Sequence, residues 1–79
     1  MSDIRIAEDL WATRLMPEGL LAAWRVEDGA QVADGQPVAE VEIEGARHEI
    51  VSPAAGRLVQ AWTAGSVIEP GSVIGRVRQ

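Results

Sequence analysis

The chain has 79 residues, 47% of them hydrophobic, and a formal net charge of −5. This length allows one domain with one core, and the composition is that of a globular protein. The sequence contains no cysteine and one histidine, which excludes disulfides, thiol catalysis, iron–sulfur clusters and a multi-histidine metal site. Because phosphate binding requires a basic face, the acidic balance argues against nucleic acid and anionic membranes as partners.

The first ten residues carry acidic side chains at Asp3, Glu8 and Asp9. They lack the positively charged region and the apolar run of a signal peptide. No apolar stretch approaches the roughly 20 residues that are needed to cross a bilayer. We therefore expect a cytoplasmic protein.

Glycine and proline divide the rest of the chain into short segments that are rich in Val, Ile and Leu. Such segments are too short for most helices and are typical of strands, so the sequence predicts an all-β fold. In chain order we expect strands at residues 20–24, 38–42, 47–51 and 57–62. Residues 38–42 alternate apolar and acidic side chains, and residues 43–46 form the turn of an exposed hairpin with the strand that follows.

The two halves of the sequence repeat with an offset of 36 residues. The repeated glycine, proline and β-branched positions pair as Pro17 with Pro53, Gly29 with Gly65, Val32 with Ile68, Gly35 with Gly71, Val38 with Ile74, and Val41 with Val77. Two copies are too few for a solenoid, so each half must bury its apolar face against the other. This predicts a flattened β-barrel or sandwich with pseudo-twofold symmetry, whose core includes the six repeated Val and Ile residues.

Four segments resemble the biotinyl/lipoyl carrier domains. Residues 18–24 are similar to the family's Glu-Gly-x-hydrophobic-hydrophobic-x-Trp, and residues 27–38 to its Glu-Gly-Asp-x-Val-x-x-Gly-x-x-Leu. Residues 52–56 resemble its Ala-Pro-x-x-Gly, and residues 65–74 its second Gly-x-x-Val-x-x-Gly-x-x-Ile. The resemblance implies that residues 1–79 form one domain, with the likeness strongest over 18–77. It also implies a barrel-sandwich hybrid, or hammerhead, of two four-stranded antiparallel sheets.

Members of this family carry their prosthetic group on a lysine at a hairpin tip. Alignment on Pro53 places Gly45 at that position, and its neighbours Glu44 and Ala46 are similar to the Asp-Lys-Ala of lipoyl domains. All seven basic residues of the chain are arginine, and a guanidinium remains protonated and does not acylate at neutral pH. We therefore expect neither lipoyl nor biotin to be attached to a side chain, and no cofactor or metal to be bound.

Two surfaces are candidates for contact with a partner. The acidic residues near the hairpin form either a docking face or a solvated sheet edge: Glu40, Glu42, Glu44 and Glu49. Residues 10–16 depart from the family pattern and crowd several large apolar side chains into one loop. That loop, with Trp11, either covers one end of the sandwich or presents a partner surface. We expect Trp24 and Trp62 to be packing residues.

Two functions follow from the resemblance. The first is an unmodified, noncatalytic lipoyl-like module that is monomeric and serves protein interaction or structure. The alternative is a swinging-arm carrier subunit of a 2-oxo acid dehydrogenase or a related acyl- or carboxyl-transfer complex. In either case the expected partner is a protein, such as a component of such a complex. The sequence offers no nucleophile with a base, carboxylate pair or phosphate loop, so catalysis by the chain itself is not expected.

Overall fold

The computed structural model describes residues 1–13, 15 and 17–79, and within them the regular structure is β-strand apart from one short 3-10 turn at Glu8–Leu10. The strands are β1 (Ser2–Arg5), β2 (Gly19–Trp24), β3 (Gln31–Val32), β4 (Pro37–Ile43), β5 (Ala46–Val51), β6 (Gly56–Gln60), β7 (Val67–Ile68) and β8 (Val73–Arg78). The all-β prediction is therefore confirmed. In the described part of the chain, no helix is long and apolar enough to cross a membrane.

The strands form two four-stranded sheets in which every pairing is antiparallel. One sheet has the order β1-β8-β6-β3 and the other the order β5-β4-β2-β7. Two pairs of strands at equivalent places in the two sheets begin 36 residues apart, since β3 begins at 31 and β7 at 67, and β4 begins at 37 and β8 at 73. The predicted sandwich of two four-stranded sheets is confirmed.

The hydrophobic core lies between the sheets. All six repeated Val and Ile positions that were predicted to be core are buried: Val32, Val38, Val41, Ile68, Ile74 and Val77. The core also contains residues outside the repeat pattern: Ile4, Ile6, Trp11, Leu21, Ala39, Ile43, Ala54 and Leu58. Burial of this apolar surface between the sheets is what holds the two sheets together.

Trp24 links one sheet to the other at the edge of the core. Its indole Nε1 donates a hydrogen bond to the backbone oxygen of Trp62 at 2.9 Å. A Cβ placed on Gly75, in the opposite sheet, would lie only 3.2 Å from the Trp24 ring, so the bare glycine makes room for the indole. Both tryptophans pack against the core, which confirms the packing role predicted for them.

The segment between β1 and β2 closes one side of the sandwich. The Trp11 side chain is only 8% exposed and belongs to the core, and Leu10 packs against it. Of the two interpretations of this loop, the burial of the Trp11 ring favours the cover over the partner surface. Arg14 and Met16, which belong to the same predicted loop, lie outside the described residues.

Candidate functional site at the β4–β5 hairpin

The β4–β5 hairpin closes with a two-residue turn. Ile43 and Ala46 form the last cross-strand pair, which leaves Glu44 and Gly45 at the tip with φ angles of 54° and 79°. Two consecutive positive φ angles define a type I′ turn, whose twist matches that of the flanking strands. The turn predicted at residues 43–46 is therefore confirmed. Glycine occupies its second central position, where a positive φ favours that residue.

Gly45 lies in open space at the tip of this hairpin. A Cβ built on Gly45 would have no heavy atom within 4 Å, and the residue is exposed. The first atom of a side chain at this position would therefore meet no neighbouring atom. The glycine itself offers no group that can be acylated.

Glu44 connects the hairpin to the segment between β1 and β2 through two hydrogen bonds. Its Oε1 accepts a hydrogen bond from the backbone N–H of Ala12 at 2.9 Å, and its Oε2 accepts one from Thr13 at 3.1 Å. Both carboxylate oxygens are therefore engaged, which holds a non-glycine residue in the left-handed conformation that it would otherwise avoid. This contact could not be predicted from the sequence, because it joins residues more than 30 positions apart.

Glu40 is the centre of a group of ion pairs on the outer face of the same sheet. Its carboxylate oxygens lie 2.7 Å from Nη1 of Arg47 and 2.8 Å from Nη2 of Arg25. Arg25 also approaches Glu49 at 3.8 Å, and the Nε of Arg47 approaches Glu42 at 3.7 Å. Cross-strand register explains the part of the group on β4 and β5, since Glu40 stands opposite Glu49 and Glu42 stands opposite Arg47.

These contacts shift the ionisation of the central pair. The hydrogen bond from Arg47, followed by the charges of Arg47 and Arg25, lowers the pKa of Glu40 below its ordinary value of 4.5, against an opposing effect of desolvation. The hydrogen bond to Glu40 in turn raises the pKa of Arg47. Both groups are held in their charged forms.

The four acidic residues predicted near the hairpin thus have different environments. Glu40 is neutralised by two guanidinium groups, and Glu49 lies at the fringe of the same ion pairs. Glu44 accepts backbone hydrogen bonds at the tip, whereas Glu42 borders an open groove. The two arginines that neutralise Glu40, Arg25 and Arg47, could not be assigned to this face from the sequence, because their positions depend on strand register.

The groove lies beside the hairpin tip and has a volume of about 650 Å³. Its lining residues come from β2, β4, β7, the hairpin turn and the loop before β2: Thr13, Glu18, Gly19, Leu20, Glu42, Glu44, Gly45 and Val67. Leu20 is 39% exposed and Val67 is 56% exposed. An exposed apolar surface with acidic residues around it therefore adjoins the hairpin tip. No single feature of the sequence indicated this groove.

Comparison with known proteins gives a family and a fold. The sequence profile of the family described as "Biotin-requiring enzyme" (Biotin_lipoyl) matches residues 12–77. Among solved structures, the chain is similar to the lipoyl domain of the 2-oxoglutarate dehydrogenase complex from Azotobacter vinelandii. The TM-score is 0.76 at 18% sequence identity, with 96% of each chain covered. No curated protein sequence matches at a significant level.

Proposed function

The chain belongs to the Biotin_lipoyl family, and from that premise we propose that it is an unmodified, noncatalytic lipoyl-type domain that acts by binding a protein partner. The proposal separates the shape of the domain from the chemistry of a carrier. The shape is the two-sheet sandwich with a projecting hairpin. The chemistry would require a nucleophilic amine at the tip of that hairpin.

The observation that carries the proposal is Gly45 at the tip of the type I′ turn in a chain without lysine. Attachment of a carboxylic acid such as lipoate or biotin forms an amide bond between an activated acyl group and a side-chain amine. Gly45 has no such amine, and the guanidinium of an arginine does not replace it at neutral pH. The hairpin can therefore present its surface to a partner but cannot carry an arm on a side chain.

A swinging-arm carrier subunit is the second candidate. The likeness to a lipoyl domain of a 2-oxo acid dehydrogenase complex favours it at the level of the fold. It would require the natural gene to encode lysine at position 45. Sequencing that codon and measuring the intact mass of the protein from its natural source distinguish the two candidates.

The direct test is co-expression of the chain with a lipoate-attaching enzyme and, separately, with a biotin-attaching enzyme. We expect the intact mass of the wild-type protein to show no added group in either case. We expect Gly45→Lys to be modified at least in part by the lipoate enzyme, because the tip has room for a side chain. The positive φ at this position adds strain of about 1 to 2 kcal/mol to the variant.

Gly35→Lys is the matched control, since Gly35 also has a positive φ, of 82°, and open space around its Cβ position. This control carries a lysine in a comparable turn away from the β4–β5 hairpin and should stay unmodified. An adduct on the wild-type protein would overturn the proposal. A folded Gly45→Lys that stays unmodified would show that the surface read by the attaching enzyme has also diverged.

A further inference from the structure

Two of the exposed large apolar side chains lie together at the groove beside the hairpin. Among the described residues, the exposed large hydrophobic side chains are those of Met1, Leu15, Leu20, Val51 and Val67. Leu20 and Val67 both line the groove, and Leu15, 90% exposed, lies two positions after the lining residue Thr13. Apolar side chains grouped on one surface mark a binding site more often than apolar side chains that are scattered singly.

Strand register explains why Leu20 and Val67 are adjacent. Leu20 on β2 stands opposite Val67 on β7, and on its other side opposite Glu42 on β4. Its chain neighbour Leu21 is fully buried, so Leu20 points to the outer face of the sheet. On the outer face of this sheet, Val67, Leu20 and Glu42 therefore lie side by side on adjacent strands, so that an apolar pair adjoins a carboxylate.

The charge around this apolar pair is negative. Among the residues that the structure describes, the charged ones that line the groove are all glutamates: Glu18, Glu42 and Glu44. Arg47, which approaches Glu42 at 3.7 Å, belongs to β5 and lies across β4 from Leu20. The whole chain has a net charge of −5, which adds to the attraction of a cationic partner.

We propose that the groove docks a segment of a partner protein in which an aliphatic or aromatic side chain is flanked by lysine or arginine. The apolar side chain would cover Leu20 and Val67, and the cationic groups would face Glu18 and Glu42. This arrangement places an apolar contact at the centre and complementary charges at the rim, as in other protein interfaces. The proposal rests on the proposed function, because it specifies where and with what chemistry the domain binds.

The test begins with selection of a random-peptide phage library on the immobilised wild-type domain. We expect the enriched peptides to combine basic residues with a large apolar residue. Synthetic copies of these peptides should perturb the backbone amide resonances of β2, β7 and the hairpin in two-dimensional NMR spectra. Leu20→Ser combined with Val67→Thr should weaken their binding by about tenfold or more, because the apolar contact is lost.

Val51→Thr is the matched control for the apolar substitutions, since Val51 is 47% exposed on β5 and does not line the groove. Glu18→Lys tests the charge requirement and should weaken binding several-fold, about as much as high salt does to the wild type. Glu27→Lys makes the same charge change at an exposed residue outside the groove and should have a smaller effect. Thermal melting checks that each variant is folded.

Three results would overturn the groove proposal: no enrichment of peptides, enrichment of peptides without basic residues, or binding that is unchanged in the groove variants. These results are independent of the mass measurement that tests the proposed function. A wild-type chain that gains a lipoyl group but still binds basic peptides in the groove would overturn the unmodified state and leave the docking site in place. A wild-type chain that stays unmodified but binds no such peptide would overturn the docking site and leave the proposed unmodified state in place.

Discussion

The two sheets of the molecule have the same strand order but differ at one connection. In the β5-β4-β2-β7 sheet, the edge strand β5 and its neighbour β4 are joined by the Glu44–Gly45 turn. At the equivalent place in the other sheet lie the first and last strands, where Ser2 stands opposite Val77. The shared framework explains the stability of both sheets, whereas the hairpin and the groove beside it belong to one sheet alone. Function is therefore expected where the symmetry of the two halves is broken.

Glycine is required for different reasons in the two sheets. Gly56, at the start of β6, has no room for a side chain, because a Cβ there would lie 2.3 Å from the backbone oxygen of Arg78. Gly45, at the hairpin tip, has nothing within 4 Å of the same position. The first glycine is demanded by tertiary packing, and the second is favoured only by the local conformation of the turn.

The largest expected effect follows from this contrast. Gly56→Ala should lower the free energy of unfolding by at least about 3 kcal/mol, because β6 and β8 must separate to admit the methyl group. Gly45→Ala should lower it by about 1 to 2 kcal/mol, the cost of alanine in the left-handed region. Urea denaturation of the two variants measures both values. Equal losses would contradict the distinction between a packing glycine and a turn glycine.

The next prediction tests whether the two sheets contribute equally to the core. Val41 on β4 and Val77 on β8 occupy equivalent positions and are both fully buried. Val41→Ala and Val77→Ala should each lower the free energy of unfolding by about 1 to 4 kcal/mol and by similar amounts. If neither variant shifts the denaturation midpoint, the assignment of these residues to the core is wrong.

A third prediction separates the turn from the loop that it holds. Glu44→Asn creates Asn-Gly, the preferred pair for a type I′ turn, but its shorter side chain should lose the hydrogen bonds from Ala12 and Thr13. We expect the hairpin amides to stay protected from hydrogen exchange while the amides of Ala12 and Thr13 exchange faster. Glu44→Gln, which keeps the length but offers one carbonyl oxygen, should lie between Asn and the wild type. Unchanged exchange at Ala12 and Thr13 would contradict the role of Glu44.

The smallest effect concerns the dependence of stability on pH. The pKa of Glu40 is lowered in the folded state by Arg47 and Arg25, so its ion pairs stabilise the fold above the unfolded pKa. This contribution is lost as the pH falls from about 4.5 through the lower pKa of the folded state. Glu40→Gln should therefore melt at a lower temperature than the wild type at neutral pH and show a smaller decrease in Tm on acidification. Glu27→Gln, an exposed control, should keep the wild-type profile.

The sequence by itself predicted the all-β fold, four of the eight strands, the six repeated core residues and the hairpin with Gly45 at its tip. Each depends on information within a short stretch: turn residues between apolar segments, alternation along a strand, and glycine where φ is positive. The absence of a side-chain amine at the tip is likewise a property of the sequence, since it depends on residue type alone.

Only the tertiary structure decided what surrounds the hairpin. Three features join residues from different strands and loops: the burial of Trp11, the hydrogen bonds of Glu44, and the pairing of Glu40 with Arg25 and Arg47. The groove likewise forms because register places Leu20 next to Val67. Register and loop packing are set by burial of the whole core, which no local pattern of residues encodes.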